Sequence, residues 1–464
     1  MAPRPPVEAK RFTFRSAIRT PEQKPYFSAR LILIWPFERL SGRKHSECSG
    51  GLQAAAERRP NEPLFTPAFA GLWLYAFVTF FSAFQLLPAI PFRILELGQS
   101  TAKAGWFLSI YTYASAFSAP LMGSLADHIG RRRLLIAASI IFICFSIAYG
   151  LITDFRFLLV IGAIHGAMWS GLIAAASAIM SDYIPPSRRN QGLAWWGLAS
   201  TAAVATAPAV GLWVFHFGWF TLCIELAVLS MLMTFGALLL RPSERRRESS
   251  RVVLSEAWDW RVIQTTLSLT VATFGYGGVT SYSAIVAVQR HIAPPAIYLT
   301  TFAVSIIVFR LFFSHLGDRI GTKRVLYPAL ILIPIAFAGL ALAQHKWEMI
   351  VSAILFGTGF GAAYPALASF ILENTDPDRR ARTFGSIVWA FDTGIGTGSL
   401  VIGAIGGALG FQQAFLTAAA LSCFSIPIFA WSSRALAARG IFVNSVRSSE
   451  LITTENTENS ETSL

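Results

Sequence analysis

Charged side chains are scarce in this chain of 464 residues: Asp, Glu, Lys and Arg together make up 14%, against about 25% in an ordinary soluble domain. That scarcity excludes a soluble enzyme of the usual kind. Cysteine is rarer still. Of Cys48, Cys144, Cys223 and Cys423 no two stand at metal-binding or redox spacing, and three lie inside apolar runs, so neither a disulfide framework nor a zinc site is expected. The seven His are scattered and none falls at H-E-x-x-H spacing, which leaves a membrane-embedded enzyme as a remote alternative. No G-x-x-x-x-G-K-S/T loop is present and the chain has no room for a nucleotide-binding domain, so nothing suggests ATP use. No catalytic residue, cofactor or metal is assigned.

Apolar surface is what the chain has instead. Hydrophobic residues make up 54% of it and Phe alone numbers 37. The apolar segments recur at close to the ~20 residues that a helix needs to cross a bilayer. Lipid supplies no hydrogen-bond partners, and unbroken runs without strict alternation select helices over a barrel. Twelve spans are expected, at 67–91, 104–126, 134–152, 156–182, 191–215, 218–240, 262–290, 296–316, 325–344, 348–372, 383–409 and 411–434. The fold class is therefore all-α, a polytopic membrane protein with six-helix bundles at 65–240 and 262–434 joined by a linker at 241–261. Residues 1–64 read as a basic extension, expected to be disordered, whose apolar patch Leu31 to Phe37 is too short to span. The polar tail 435–464 reads the same way.

The two bundles are written as a repeat. Gly123 to Arg133 reads G-S-L-A-D-H-I-G-R-R-R, and Ser314 to Arg324 reads S-H-L-G-D-R-I-G-T-K-R, so Asp127 maps onto Asp318 and Gly130 onto Gly321 at 318 − 127 = 191 residues. A second pair keeps that offset. Asp182 heads D-Y-I-P-P-S-R-R and Glu373 heads E-N-T-D-P-D-R-R, which aligns Arg188 with Arg379, and 373 − 182 is again 191. Gly166 and Gly357 fall on the same register. Three markers at one spacing argue for a duplicated unit.

These turns resemble the signature of the major facilitator superfamily of secondary transporters. Its pattern between helices 2 and 3, G-x-L-A-D-R-x-G-R-R or close to it, is matched by Gly123, Leu125, Ala126, Asp127, Gly130, Arg131 and Arg132, while His128 replaces an Arg. The second copy keeps Leu316, Asp318, Arg319, Gly321 and Lys323. Pro88-Ala89-Ile90-Pro91 is similar to the P-x-x-P of the drug/proton antiporter branch. The resemblance implies alternating access between two halves. It also implies that Asp127 faces the helix starting near Thr383, that Arg131 or Arg132 meets Asp182, and that these contacts latch one side closed. The latch set is Gly123, Asp127, Gly130, Arg131, Arg132, Asp182 and Arg188, with Asp318, Arg319, Gly321, Glu373 and Arg379 in the second half.

Net charge is +13, and its placement explains it. With Arg93, Lys103, Arg156, Arg290 and Lys346 on one face and Arg310 inside a span, 38 − 6 = 32 Lys and Arg fall on the other face. Cytoplasmic loops carry such an excess. Both termini are thus expected in the cytoplasm, with lipid rather than nucleic acid as the basic surface's partner.

Three ionisable residues lie well inside expected spans: Glu225, Arg310 and Asp392. Each costs at least ~2.5 kcal/mol at the bilayer centre unless it faces a cavity or a partner. Arg310 stands about 12 Å and Asp392 about 14 Å from the cytoplasmic helix ends, and Glu225 about 10 Å from the outer end. Asp392 can exchange a proton or bind a cationic substrate; Arg310 can bind an anion or hold Asp392 ionised. His165 also falls near mid-span, with packing as the simpler role. Gln85, Tyr276, Tyr282 and Trp389 are further cavity candidates. The helix-4 pattern R-x-x-x-G is reduced here to Gly162–Gly166 without its Arg, and the helix-5 antiporter pattern to Ala207-Pro208-Ala209-Val210-Gly211. The expected function is a secondary active transporter of a small organic solute, monomeric, in the inner (plasma) membrane, with proton-coupled efflux preferred. An importer or facilitator is the alternative within the class, and a non-transporting receptor the alternative outside it.

Overall fold

Fourteen helices and no strand occupy the described residues of this computed structural model, which are 63–185, 188–240, 260–313, 320–373 and 380–438. The chain enters α1 (Pro67–Glu96) through Thr66, whose hydroxyl accepts the Phe69 N–H at 3.1 Å with Pro67 at the first helical position. Then come the single turn α2 (Thr101–Ala104), α3 (Trp106–Ile129), α4 (Arg131–Leu151), α5 (Phe155–Tyr183), α6 (Arg189–Phe215) and α7 (Trp219–Leu239). The second set is α8 (Trp260–Gln289), α9 (Ile297–Phe313), α10 (Thr322–Leu342), α11 (Lys346–Glu373), α12 (Arg380–Leu409), α13 (Phe411–Cys423) and α14 (Ser425–Ala438). Counting α13 and α14 as one span and setting α2 aside, these are the twelve expected segments.

Ten of the segments are long and apolar enough to cross a membrane on length and composition. The remaining two are the shorter α9 and α3, whose apolar run is diluted by Ser, Thr, Tyr and Gly. Large apolar side chains such as Phe157, Trp213, Phe235 and Leu311 stand exposed on the outside. Lipid is the solvent that suits such a surface.

Most bounds fall within three residues of expectation, and two features differ more. α1 runs five residues past Pro91, because Pro88 and Pro91 are buried against neighbouring spans that support the helix where a backbone N–H is missing. The last span is interrupted at Phe424 instead of continuing. Pro427 sits in the first turn of α14, where its absent N–H would be unpaired in any case, so a helix start is favoured there. The expected extension before residue 63, the linker from 241 to 259 and the tail beyond 438 lie outside the described residues.

Matching contacts recur at the repeat offset. A Cβ on Gly166 would overlap the Tyr111 carbonyl, and one on Gly357 would overlap the Phe302 carbonyl; 357 − 166 and 302 − 111 are both 191. Each set of helices therefore packs its second span on its fourth through one close glycine contact. Gly130 and Gly321, also 191 apart, both adopt positive φ, +97° and +92°, where they begin the next helix. Only Gly takes that backbone without strain.

α8 is the most enclosed span, and its Ser, Thr and Gly content suits contact with helices on all sides. Cβ atoms on Gly394 and Gly398 of α12 would overlap the α8 carbonyls of Thr270 and Phe274. α12 thus lies tightly on α8, and its other face meets α3.

Candidate functional site

The hydrogen bonds that join α3 to α12 form a seam. Ser399 Oγ donates to the Gly105 carbonyl at 2.9 Å, Ser109 Oγ donates to the Gly396 carbonyl at 2.7 Å, and the hydroxyls of Tyr113 and Thr397 lie 2.6 Å apart. Tyr282 supports this end, its buried hydroxyl donating to the Thr101 carbonyl at 3.4 Å. The seam ends at mid-helix on Asp392, whose Oδ2 accepts from Ser115 Oγ at 2.9 Å.

Asp392 is half-buried and lies within electrostatic reach of two phenols, Tyr111 of α3 and Tyr364 of α11. Tyr364 is in reach of Arg310 as well. Arg310 does not pair with Asp392; its Nη1 donates to Thr201 Oγ1 of α6 at 2.7 Å. Thr201 is the repeat counterpart of Asp392, since 392 − 201 = 191. Two of the polar bridges between the helix sets, α3 to α12 and α6 to α9, therefore use equivalent positions, Asp392 and Thr201. Tyr364 lies within electrostatic reach of one charged group from each.

The chemistry of the cluster is limited and specific. A mid-span carboxylate held by one hydroxyl keeps lone pairs for a proton or a cationic group, and a guanidinium held by one hydroxyl keeps donors for an anionic one. Phenols beside each can donate or accept. Among the described residues no group of His, Cys, Asp and Glu is arranged to hold a metal ion.

The remaining interior candidates sit elsewhere. Gln85 of α1 donates from Nε2 to Glu225 Oε1 of α7 at 3.0 Å, within the first six spans. His165 is buried, its Nδ1 3.0 Å from the Tyr149 hydroxyl, with the ring of Phe142 at 4.4 Å and those of Tyr111 and Phe145 both at 5.2 Å. It lines a small cavity, also inside the first set, in which Thr79, Ser82, Ser146, Tyr149 and Ser230 face Leu86, Phe142 and Leu226. Tyr276 is buried among Phe302, Phe356, Phe360 and Phe391. Trp389 is half-buried on α12.

At the opposite end from Gly105, Arg131 Nη1 lies 3.1 Å from Asp182 and its Nη2 3.4 Å from Asp127. Arg132 instead donates to the Leu238 carbonyl at 2.7 Å, at the last turn of α7. Asp127 pairs with Arg131, and its side chain stays 45% exposed; the Thr383 hydroxyl is buried without a hydrogen-bond partner. The expected meeting of Asp127 with the start of α12 is not made in this conformation, in which the inter-set hydrogen bonds of α3 gather toward Gly105. Gly123 lies within α3 with open space where a Cβ would be, and Arg188 is half-buried just before α6. Glu373 ends α11, and Asp318, Arg319 and Arg379 fall outside the described residues. Sequence reasoning missed Ser115, Thr201, Tyr111 and Tyr364. For Thr201 the signal was available in the offset from Asp392.

Apolar spans outside and polar bridges between two related helix sets define a multi-pass α-helical membrane protein with polar contacts in its interior. The profile of the Major Facilitator Superfamily matches residues 72–296 and again 265–448, and the chain belongs to that family. It is 25% identical over 380 residues to "Multidrug resistance protein MdtG" of Salmonella typhimurium, covering 78% of this chain and 94% of that protein. Among solved structures, the nucleoside transporter NupG superposes with a TM-score of 0.66 at 16% identity, covering 79% of this chain and 99% of the other. The human organic anion transporter MFSD10 (TETRAN) gives 0.57 at 15% identity, covering 79% and 100%. These two establish the fold. The protein is a membrane transporter of the Major Facilitator Superfamily, whose members and structural neighbours here are transporters, not enzymes.

Proposed function

We propose that the protein exports a small organic solute in exchange for protons, by alternating access between its two helix sets. The observation that carries this reading is Asp392, a mid-span carboxyl at the contact of α12 with α3, held by Ser115 at 2.9 Å. A group placed there changes its surroundings when the sets rock, so its proton affinity and the conformation are coupled. Pro88 and Pro91 within α1 and the likeness to a multidrug resistance protein support export. The Lys and Arg excess supports cytoplasmic termini in the inner membrane. Arg131, bonded to both Asp127 and Asp182, is the moving part of the latch: closing the other side transfers Asp127 to the start of α12.

The likeness in fold to a nucleoside transporter supports a second reading, uptake or facilitated passage. Purified protein in liposomes, loaded with a mixed drug and metabolite panel under an imposed pH gradient, separates the two. Flux that needs the gradient supports exchange; flux indifferent to it supports a facilitator.

A further inference from the structure

Gln85 and Glu225 meet outside the α3–α12 seam, between α1 and α7. Gln85 is fully buried, and its one hydrogen bond to Glu225 leaves two buried acceptor atoms, Gln85 Oε1 and Glu225 Oε2, without a partner. A buried acceptor left unpaired is unfavourable, and two on touching side chains need an explanation. Flipping the amide gives no relief, because it sets the Gln85 oxygen against the other carboxylate oxygen. A proton on Oε2 directed at Gln85 Oε1 would satisfy both orphans. The acid O–H then donates to Gln85 Oε1 while Gln85 Nε2 donates to Glu225 Oε1, closing a cyclic acid–amide pair.

We propose that Glu225 is a proton-binding site, neutral in this conformation and clasped to Gln85 so that α1 is fastened to α7. The proton comes from water and returns to it. When it leaves, a carboxylate oxygen faces the Gln85 carbonyl and the clasp opens. Among the described residues, no other charged or titratable group on the packed helices is bonded to the pair. On α1, Arg93 lies about 12 Å further along than Gln85, paired with Glu96 at 3.2 Å and placed over the Trp219 ring, and Tyr75 bonds Ser139. On α4, Tyr149 bonds His165, and Arg131 to Arg133 lie at the far end. His216, at the end of α6, is exposed. Cys223 on α7 itself is buried. The site is independent of the role given to Asp392.

Infrared difference spectra of the full chain in lipid test this directly. At neutral pH the wild type should show a protonated-carboxyl C=O band that is lost in Glu225→Gln, moves to higher frequency in Gln85→Leu, and is untouched by Asp392→Asn. An amide at 225 keeps the cyclic pairing, so Glu225→Gln should fold and melt like the wild type. A wild-type minus Glu225→Gln spectrum holding only carboxylate bands overturns the proposal, as does a Glu225→Gln chain that cannot fold. If Gln85→Leu does not fold, the Glu225→Gln spectrum decides alone.

Discussion

Replacing Gly105 by Ala should unseat the seam without unfolding the protein. Gly105 has φ −86° and ψ −4°, a conformation open to any residue, so the backbone does not resist. The other helix set does. A Cβ there would overlap the Tyr282 hydroxyl and stand 2.6 Å from Ser399 Oγ and 2.7 Å from the Ser399 carbonyl oxygen. Overpacking of this kind costs about 1–3 kcal/mol, and here only in the conformation that brings α3 against α12. At 1.4 kcal/mol per tenfold, the population should move by about 5- to 150-fold toward states open at this end. A cysteine at Thr112, which faces Gly396 in the seam, reports the change once the four native cysteines are replaced. Its alkylation by a membrane-impermeant maleimide should accelerate by that order, with little change in melting temperature. An unchanged rate, or a fall in melting temperature alone, would refute the seam as a conformational contact.

The signature turns give two more expectations. Gly130→Ala and Gly321→Ala should each lose about 1–3 kcal/mol in thermal unfolding, since both positions hold positive φ; a loss at one turn only would break the structural equivalence of the halves. Asp127→Asn removes the 3.4 Å pairing with Arg131 and, on the latch reading, should slow transport while insertion and melting temperature stay as they are. Wild-type transport by that variant would end the latch idea.

Hydropathy and the offset of 191 residues carried most of the architecture, for a physical reason. A bilayer admits few backbone solutions, so apolar length translates directly into helices, and a duplicated turn keeps its Gly because the turn needs positive φ at Gly130 and Gly321 alike. Side-chain partners are less legible. Whether Asp392 meets Ser115 or Arg310 depends on helix rotation and crossing, which apolar length does not record; Ser115 is one of many serines until α3 is laid on α12. His165, an interior candidate by position along its helix, turns out to be enclosed by Tyr111, Phe142, Phe145 and Tyr149. The break at Phe424 was signalled by Pro427, but Pro88 and Pro91 lie inside an unbroken helix, so proline alone does not decide.

Proton-driven flux in liposomes, compared between wild type and Asp392→Asn, tests the central claim most directly. Asn keeps the shape and a hydrogen bond to Ser115 but cannot exchange a proton. The account predicts gradient-dependent flux in the wild type and its loss in the variant. Gradient-dependent flux that survives in Asp392→Asn would contradict it and leave Asp392 as a packing contact between α12 and α3.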